Sequence, residues 1–197
     1  MIGDLPQCLT IGAEQYTLRS DYRDVFQVFE VFADPELSQE EKWIVAIYLL
    51  IEPFTCADDV FEAVENGFDI GSAAEQIIWF ISAGKEPGEK NELPVYDWEQ
   101  DEQMIFSAIN KVAGTEVRNI EYMHWWTLAG FFDEISEKSP IAFVMGIRHK
   151  KNKNKKLEKY EQEYYNSNKD SVDLKRRKSK EELEAEAHYK ELWGNLV

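Results

Sequence analysis

The stretch YMHWWTLAGFF, residues 122–132, decides how the chain is read. A histidine beside two tryptophans either lines a ligand pocket or sits inside a buried helix. Laid on a helix over 120–135, one side carries Tyr122, Trp125, Trp126, Ala129 and Phe132. The other carries His124, Leu128, Phe131 and Ile135. Apolar residues then cover nearly the whole circumference, as in a helix packed by neighbours on several sides. Gly130 leaves room for another helix to approach. His124 in that setting reads first as a core or boundary histidine with one hydrogen-bond partner, and second as a ligand contact. The spacing predicts a buried helix over about 119–137. Trp79, Phe106, Trp125, Trp126 and Phe132 are expected to be mostly buried.

Outward from that helix the pattern stays helical. LTIGAEQYTL, residues 9–18, has β-formers on both sides of Gly12-Ala13 and predicts a short hairpin. Asp21 reads as an N-cap for a helix through Val25, Phe26, Val28, Phe29 and Phe32, ended by Asp34-Pro35. Ser38 with Glu41 forms a capping box before WIVAIYLLI, and Pro53 stops that run. Thr55 with Asp58 opens the next helix and Asn66-Gly67 closes it. Ser72 with Glu75 opens another, closed by Gly84. Residues 84–94, GKEPGEKNELP, read as a flexible loop. Asp97 with Gln100 opens a helix that ends at Ala113-Gly114. Ser139-Pro140 starts IAFVMGIRHKK, with proline at the first position, where no N–H is missed.

The fold class is therefore mainly α: a short N-terminal β-hairpin, a multi-helix body over 1–148, and an extended charged helical C-terminal segment over 149–197. Leu157, Tyr160 and Tyr164 give that segment a thin apolar stripe, and Ser179 with Glu182 caps a last helix. Neither stripe is wide enough to hold a helix alone, so the segment is expected to order fully against a partner.

Charge separates the same two parts. Residues 1–147 hold 8 Lys/Arg against 28 Asp/Glu, a net of −20, and residues 148–197 hold 14 against 10, a net of +4. An acidic body repels phosphates, which makes nucleic acid an unlikely partner. The lysine run over 150–156 could meet phosphates, but it lacks interleaved aromatics and neighbours ten acids, so a solvated helix is the plainer reading. No run of about 18 apolar residues exists, so no membrane span is expected. The start MIGDLPQCLT has neither a basic region nor an apolar stretch, so no signal peptide is expected. Cys8 and Cys56 read as reduced thiols of a cytoplasmic protein.

Catalytic chemistry is sparse. His124, His149 and His188 fall in different helices without metal-ligand spacing. No G-x-S-x-G, P-loop or dinucleotide fingerprint occurs, and GKEPGEK lacks the Lys-Ser/Thr pair that a phosphate loop needs. Asp97 and Asp101 lie four apart beside Glu99 and Glu102. They could bind a divalent cation or act as acid and base, but acids in a first helical turn also suit the helix dipole. No enzyme activity, cofactor or metal is expected.

The segments DWEQDEQMIFSAINKV, VRNIEYMHWWTLAGFFDEI and IRHKKNKNKKLEKYEQEYYNSNKDSVDLK, with the N-terminal LPQCLTIGAEQYTLRSDYRDVFQVFEVFADPELSQEEK, closely resemble the bacteriophage gene product 15 family. The most specific parts are DWEQD (97–101), AINKV (108–112), HWW (124–126) and KKLEKYEQEYY (155–165). Ser107 stands before AINKV where the resemblance leads one to expect proline, so the helix could start or bend differently there. The family belongs to long-tailed phages and prophages of Gram-positive bacteria, in the tail-assembly block near the tape-measure gene. The resemblance implies a non-catalytic tail assembly chaperone in the host bacterial cytoplasm. Its implied partners are the tape-measure protein and the tail tube protein, and self-association is a further expectation. A structural tail component retained in the virion is the alternative, and a nucleic-acid-binding accessory protein a weaker one. His124, Trp125, Lys155, Lys156, Tyr160 and Tyr164 are the candidate partner-binding residues.

Overall fold

The computed structural model describes residues 3–86 and 93–184. They are mainly helical, with one two-stranded antiparallel sheet. Strand β1 (Cys8–Ile11) pairs with β2 (Glu14–Thr17) so that Ile11 faces Glu14 and Cys8 faces Thr17. Gly12 takes the turn with φ 61°, a left-handed conformation that costs glycine least. Leu9 and Ile11 point inward while Cys8 and Thr10 point out, the period-two pattern of a half-buried strand.

The helices are α1 (Tyr22–Ala33), α2 (Gln39–Leu50), α3 (Ala57–Glu65), α4 (Ile70–Ile81), α5 (Glu102–Ala113), α6 (Trp125–Asp133), α7 (Pro140–Asn152), α8 (Lys159–Ser167) and α9 (Lys169–Val172), with a 3-10 turn at Val117–Asn119. The chain divides into two compact units. One comprises Met1–Gln7, Ser20–Arg23 and Ile78–Lys175, and the other Cys8–Arg19, Asp24–Ile77 and Arg176–Val197.

In the unit built on the hairpin, the Ser38–Glu41 capping box is present in both directions. Helix α2 supplies Ile44, Ala46, Ile47 and Leu50 to the core. Its C-terminal carbonyls have no partner within the helix. Arg19 provides one from outside: its guanidinium donates to the carbonyls of Tyr48, Ile51, Glu52 and Phe54, and its backbone N–H to Leu50. Nothing in the sequence pattern marked Arg19 for this role.

Three helix starts differ from expectation. Helix α5 opens behind Asp101 rather than Asp97, with 98–101 forming a turn before it. Helix α3 opens on Asp59, not Asp58: the Asp59 carboxylate accepts from the Thr55 and Cys56 N–H groups and from the Thr55 hydroxyl. Helix α4 opens on Asp69, whose carboxylate accepts from the Ser72 N–H, while the Ser72 hydroxyl accepts from Gly12. In α3 the carboxylate reaches back to N–H groups three and four residues before it, and in α4 it caps an N–H three residues after it.

In the other unit, Ile105, Ile109, Leu128, Ile141 and Ile147 are fully buried. The helix expected over 119–137 is shorter. Residues 120–124 are extended and pair with residues 20–23: Tyr22 N–H donates to the Met123 carbonyl, and Trp125 N–H donates to the Ser20 carbonyl. The Asp21 carboxylate takes the Met123 N–H, and Arg23 donates to the carbonyls of Arg118 and Ile120. Trp79 is 40% exposed rather than buried, and Trp126 and Phe132 are half-buried; Phe106 and Trp125 are buried as expected.

The boundary expected after Arg148 falls inside this unit, and residues 149–175 fold back as part of it. Val172 is fully buried against Val144 and Ile147, with Leu157 and Tyr165 packed beside them. The Ser179–Glu182 capping box is present, and 180–184 are helical. The rest of that last helix, like the middle of the loop at 84–94, lies outside the described residues.

Candidate functional site

His124 is the N-cap of α6. Its Nδ1 accepts from the Trp126 N–H at 3.0 Å. That acceptance leaves the proton on Nε2, which donates to the Pro6 carbonyl at 2.9 Å. The ring is 3% exposed and lies edge-on to Phe80. Burial pushes its pKa below the ordinary 6.5, and the hydrogen bond to Pro6 opposes that only in part. The two indoles that follow cap a second helix. Trp125 Nε1 donates to the Ile81 carbonyl and Trp126 Nε1 to the Phe80 carbonyl, both at the C-terminal end of α4. The HWW triplet is therefore a joint: one side chain starts α6 and the next two finish α4.

Arg148 is the second centre. It is 4% exposed and all five of its N–H groups have acceptors. Nη1 and Nη2 hold Asp101 bidentately. The other N–H groups go to the carbonyls of Val95, Ser171 and Val172. Asp101 also accepts from the Asp97 N–H. The paired carboxylates Asp97 and Asp101 are thus a turn cap and the anchor of an arginine. Among the described residues no group of three or more His, Cys, Asp or Glu is placed to hold a metal ion. His188 lies outside those residues.

Gln100 was expected to complete a capping box with Asp97, but its side chain turns to the C-terminal segment instead. Its amide donates to the carbonyls of Ser171 and Asp173 and accepts from the Lys175 N–H. The lysine run splits in two. Lys150 holds the Glu161 carboxylate, which keeps that acid below its usual range, and Lys151 reaches Tyr165 and Asp173. Lys155 and Lys156 face outward in the turn between α7 and α8. Tyr160 is 60% exposed and stacks on Phe143, with Tyr164 edge-on to the same ring.

The family described as Bacteriophage Gp15 protein matches residues 1–174. The chain belongs to that family. No curated protein and no solved structure matches it. In this Gp15 chain the matched span ends within a residue of the point where the folded-back segment leaves Gln100.

The segments that carried the resemblance have structural work in the Gp15 fold. Asp97 and Asp101 of DWEQD are described above. Asn110 of AINKV donates to Glu116 and accepts from the Val117 N–H, fixing the 3-10 turn. Glu116, gripped by Arg118, is held down to about 2. Ser107 is an exposed residue inside an unbroken α5, so the missing proline leaves the helix straight through that point.

Of the six candidate partner-binding residues, the structure divides two from four. His124 and Trp125 are buried with their polar atoms bonded to backbone, where they hold the fold. Lys155, Lys156, Tyr160 and Tyr164 are exposed, the lysines in the turn before α8 and the tyrosines on α8 against Phe143. No helix among the described residues is long and apolar enough to cross a membrane.

Proposed function

We propose that this Gp15 protein acts in phage tail morphogenesis as a non-catalytic assembly chaperone, holding the tape-measure protein in the host cytoplasm before the tube forms around it. The observation that carries this reading is the exposed surface of Lys155, Lys156, Tyr160 and Tyr164 on a chain of the phage family. Exposed tyrosines packed on the half-buried Phe143 ring give apolar contact at small entropic cost, and the lysines add reach and solubility. A long helical client is held by many such weak contacts, which release when the tube polymerises. The net charge of −16 keeps a loaded complex dispersed.

The test is co-expression with the tape-measure protein of the same phage. Capture by the parent chain, and loss of capture in Y160A/Y164A with an unchanged circular dichroism spectrum, is the expected result. Equal capture by the variant removes this surface from the proposal. Mass spectrometry of purified particles separates the chaperone from a structural tail component: a chaperone is absent from the finished virion and a component is present.

A further inference from the structure

The surface just described has a counterpart elsewhere on the chain. Residues 24–77 hold 13 Asp/Glu and one basic residue, Lys42. Lys42 is buried and donates to the Phe32 carbonyl, so it neutralises none of the acids at the surface. On α3, Asp58, Phe61, Glu62 and Glu65 are all exposed. Their spacing of i, i+3, i+4 and i+7 puts them on one face of the helix. Phe61 is 50% exposed in the middle of that face, while Val60 is fully buried on the other side. The face is an aromatic side chain ringed by carboxylates that have no ion pair among the described residues.

The surface at the start of α8 is its inverse. Lys159 and Tyr160 open α8, and Lys155 and Lys156 lie in the non-helical turn just before its N-cap Glu158. Lys155, Lys156 and Lys159 are exposed, and none has an ion-pair partner among the described residues. Tyr160 stands out from Phe143 in the middle. Glu158 and Glu163 are the acids on this helix that face the same solvent, and the third, Glu161, is spent on Lys150.

We infer that copies of this chain associate head to tail, the acidic Phe61 face of α3 in one copy seating on the Lys155–Lys156–Lys159–Tyr160 surface of the next. Charge complementarity selects this occupant: the one surface is basic around an aromatic ring and the other acidic around an aromatic ring. Two different patches that complement each other make a heterologous contact, which repeats into rings or chains rather than stopping at a two-fold dimer. The contact concerns the chain alone and does not depend on the tape-measure reading.

The experiment is sedimentation velocity on the full chain over a concentration series at low salt, with two charge-reversed variants and their mixture. All substituted side chains are exposed, and circular dichroism checks each variant. K155E/K156E and E62K/E65K are each expected to weaken association about tenfold or more, since like charges then meet across the contact. Their equimolar mixture is expected to associate again, because each variant's reversed patch complements the other's. F61A, which changes no charge, is expected to weaken association and to stay weak in the mixture with E62K/E65K, which has no intact acidic face to offer it. A parent chain that stays monomeric overturns the inference. So does association that survives either reversal, or a mixture that fails to recover it.

Discussion

Arg148 shows how much can rest on one side chain. It sits at the edge of a lysine-rich run, and by composition it looks like one more solvated cation. Its five N–H groups instead meet five acceptors on three stretches of chain. A lysine offers three donors on one atom and cannot span that fork. R148K is therefore expected to unfold at lower urea than the parent. D101N, which leaves the guanidinium buried without its counter-charge, is expected to cost about 3–5 kcal/mol. Equilibrium urea denaturation checks both, and a loss under about 1 kcal/mol in D101N would place the pair at the surface. His124 makes the second residue-scale prediction. Its folded pKa lies below the ordinary 6.5, so below about pH 6.5 the unfolded chain binds the proton more readily. The contribution of His124 is full above that pH and is lost as the pH falls from there through the lower folded pKa. Protonation at Nδ1 also sets an N–H against the Trp126 N–H it now accepts from. H124N keeps a capping oxygen and removes the titration. Denaturation midpoints at pH 7.5 and 5.5 should differ for the parent and nearly coincide for H124N, once the slope shared with the carboxylates is subtracted.

At the scale of elements, local signals were legible where they act locally. The hairpin about Gly12, the Ser38–Glu41 box, the Ser139-Pro140 start and the Gly114 stop all stand where their residues put them. The misreadings share a cause. Residues 120–124 carry a helical apolar pattern, but backbone pairing with residues 20–23, some hundred positions away, outweighs it. No window of sequence contains that competitor. The C-terminal segment was misjudged in the same way. Its stripe is too thin to fold alone, yet Leu157, Tyr165 and Val172 complete a cluster whose other half is on α7. A chain ending at Arg148 loses that cover and also the Ser171 and Val172 carbonyls that Arg148 uses. Exposing a fully buried side chain such as Val172's neighbours Val144 and Ile147 costs about 1.5–3 kcal/mol each. The 1–148 chain is expected to be poorly folded and the 1–175 chain to keep this network, which thermal unfolding followed by circular dichroism would show. Gly84 tests the α4 end. It has φ 71°, and a Cβ there would stand 3.0 Å from the Trp126 ring. G84A is expected to cost about 1–2 kcal/mol, whereas a glycine-to-alanine change on an open helix surface gains about 0.5–1 kcal/mol.

At the scale of the whole molecule, one surface has been given two occupants. As proposed, the tape-measure protein and a second copy's α3 would both call on Lys155, Lys156 and Tyr160. Two ligands that share a site exclude each other, and the exclusion is reciprocal by linkage. Free chains would associate with one another while no client is present, which keeps exposed tyrosines covered and limits unwanted contacts. A client arriving along its length would replace α3 faces one at a time, each exchange nearly balanced in free energy. Composition alone does not show the α3 face, because the acids of residues 1–147 are spread over many elements and only the fold exposes Phe61 among Asp58, Glu62 and Glu65. The expected outcome is that the tape-measure protein disperses the self-associated chain into client-bound copies. Sedimentation of labelled chain with rising amounts of tape-measure fragment should show the self-associated boundary decline as the complex grows. F61A, which weakens self-association and leaves the tyrosine surface intact, should then bind the fragment more tightly than the parent. The gain follows from removing the competitor, so it should shrink as the parent is diluted below its own association range. Salt should weaken both contacts, since their exposed charges are screened over about 8 Å at physiological ionic strength. If F61A binds the fragment no better than the parent at any concentration, the two partners do not share a site, and the surface over 155–164 serves only one of them.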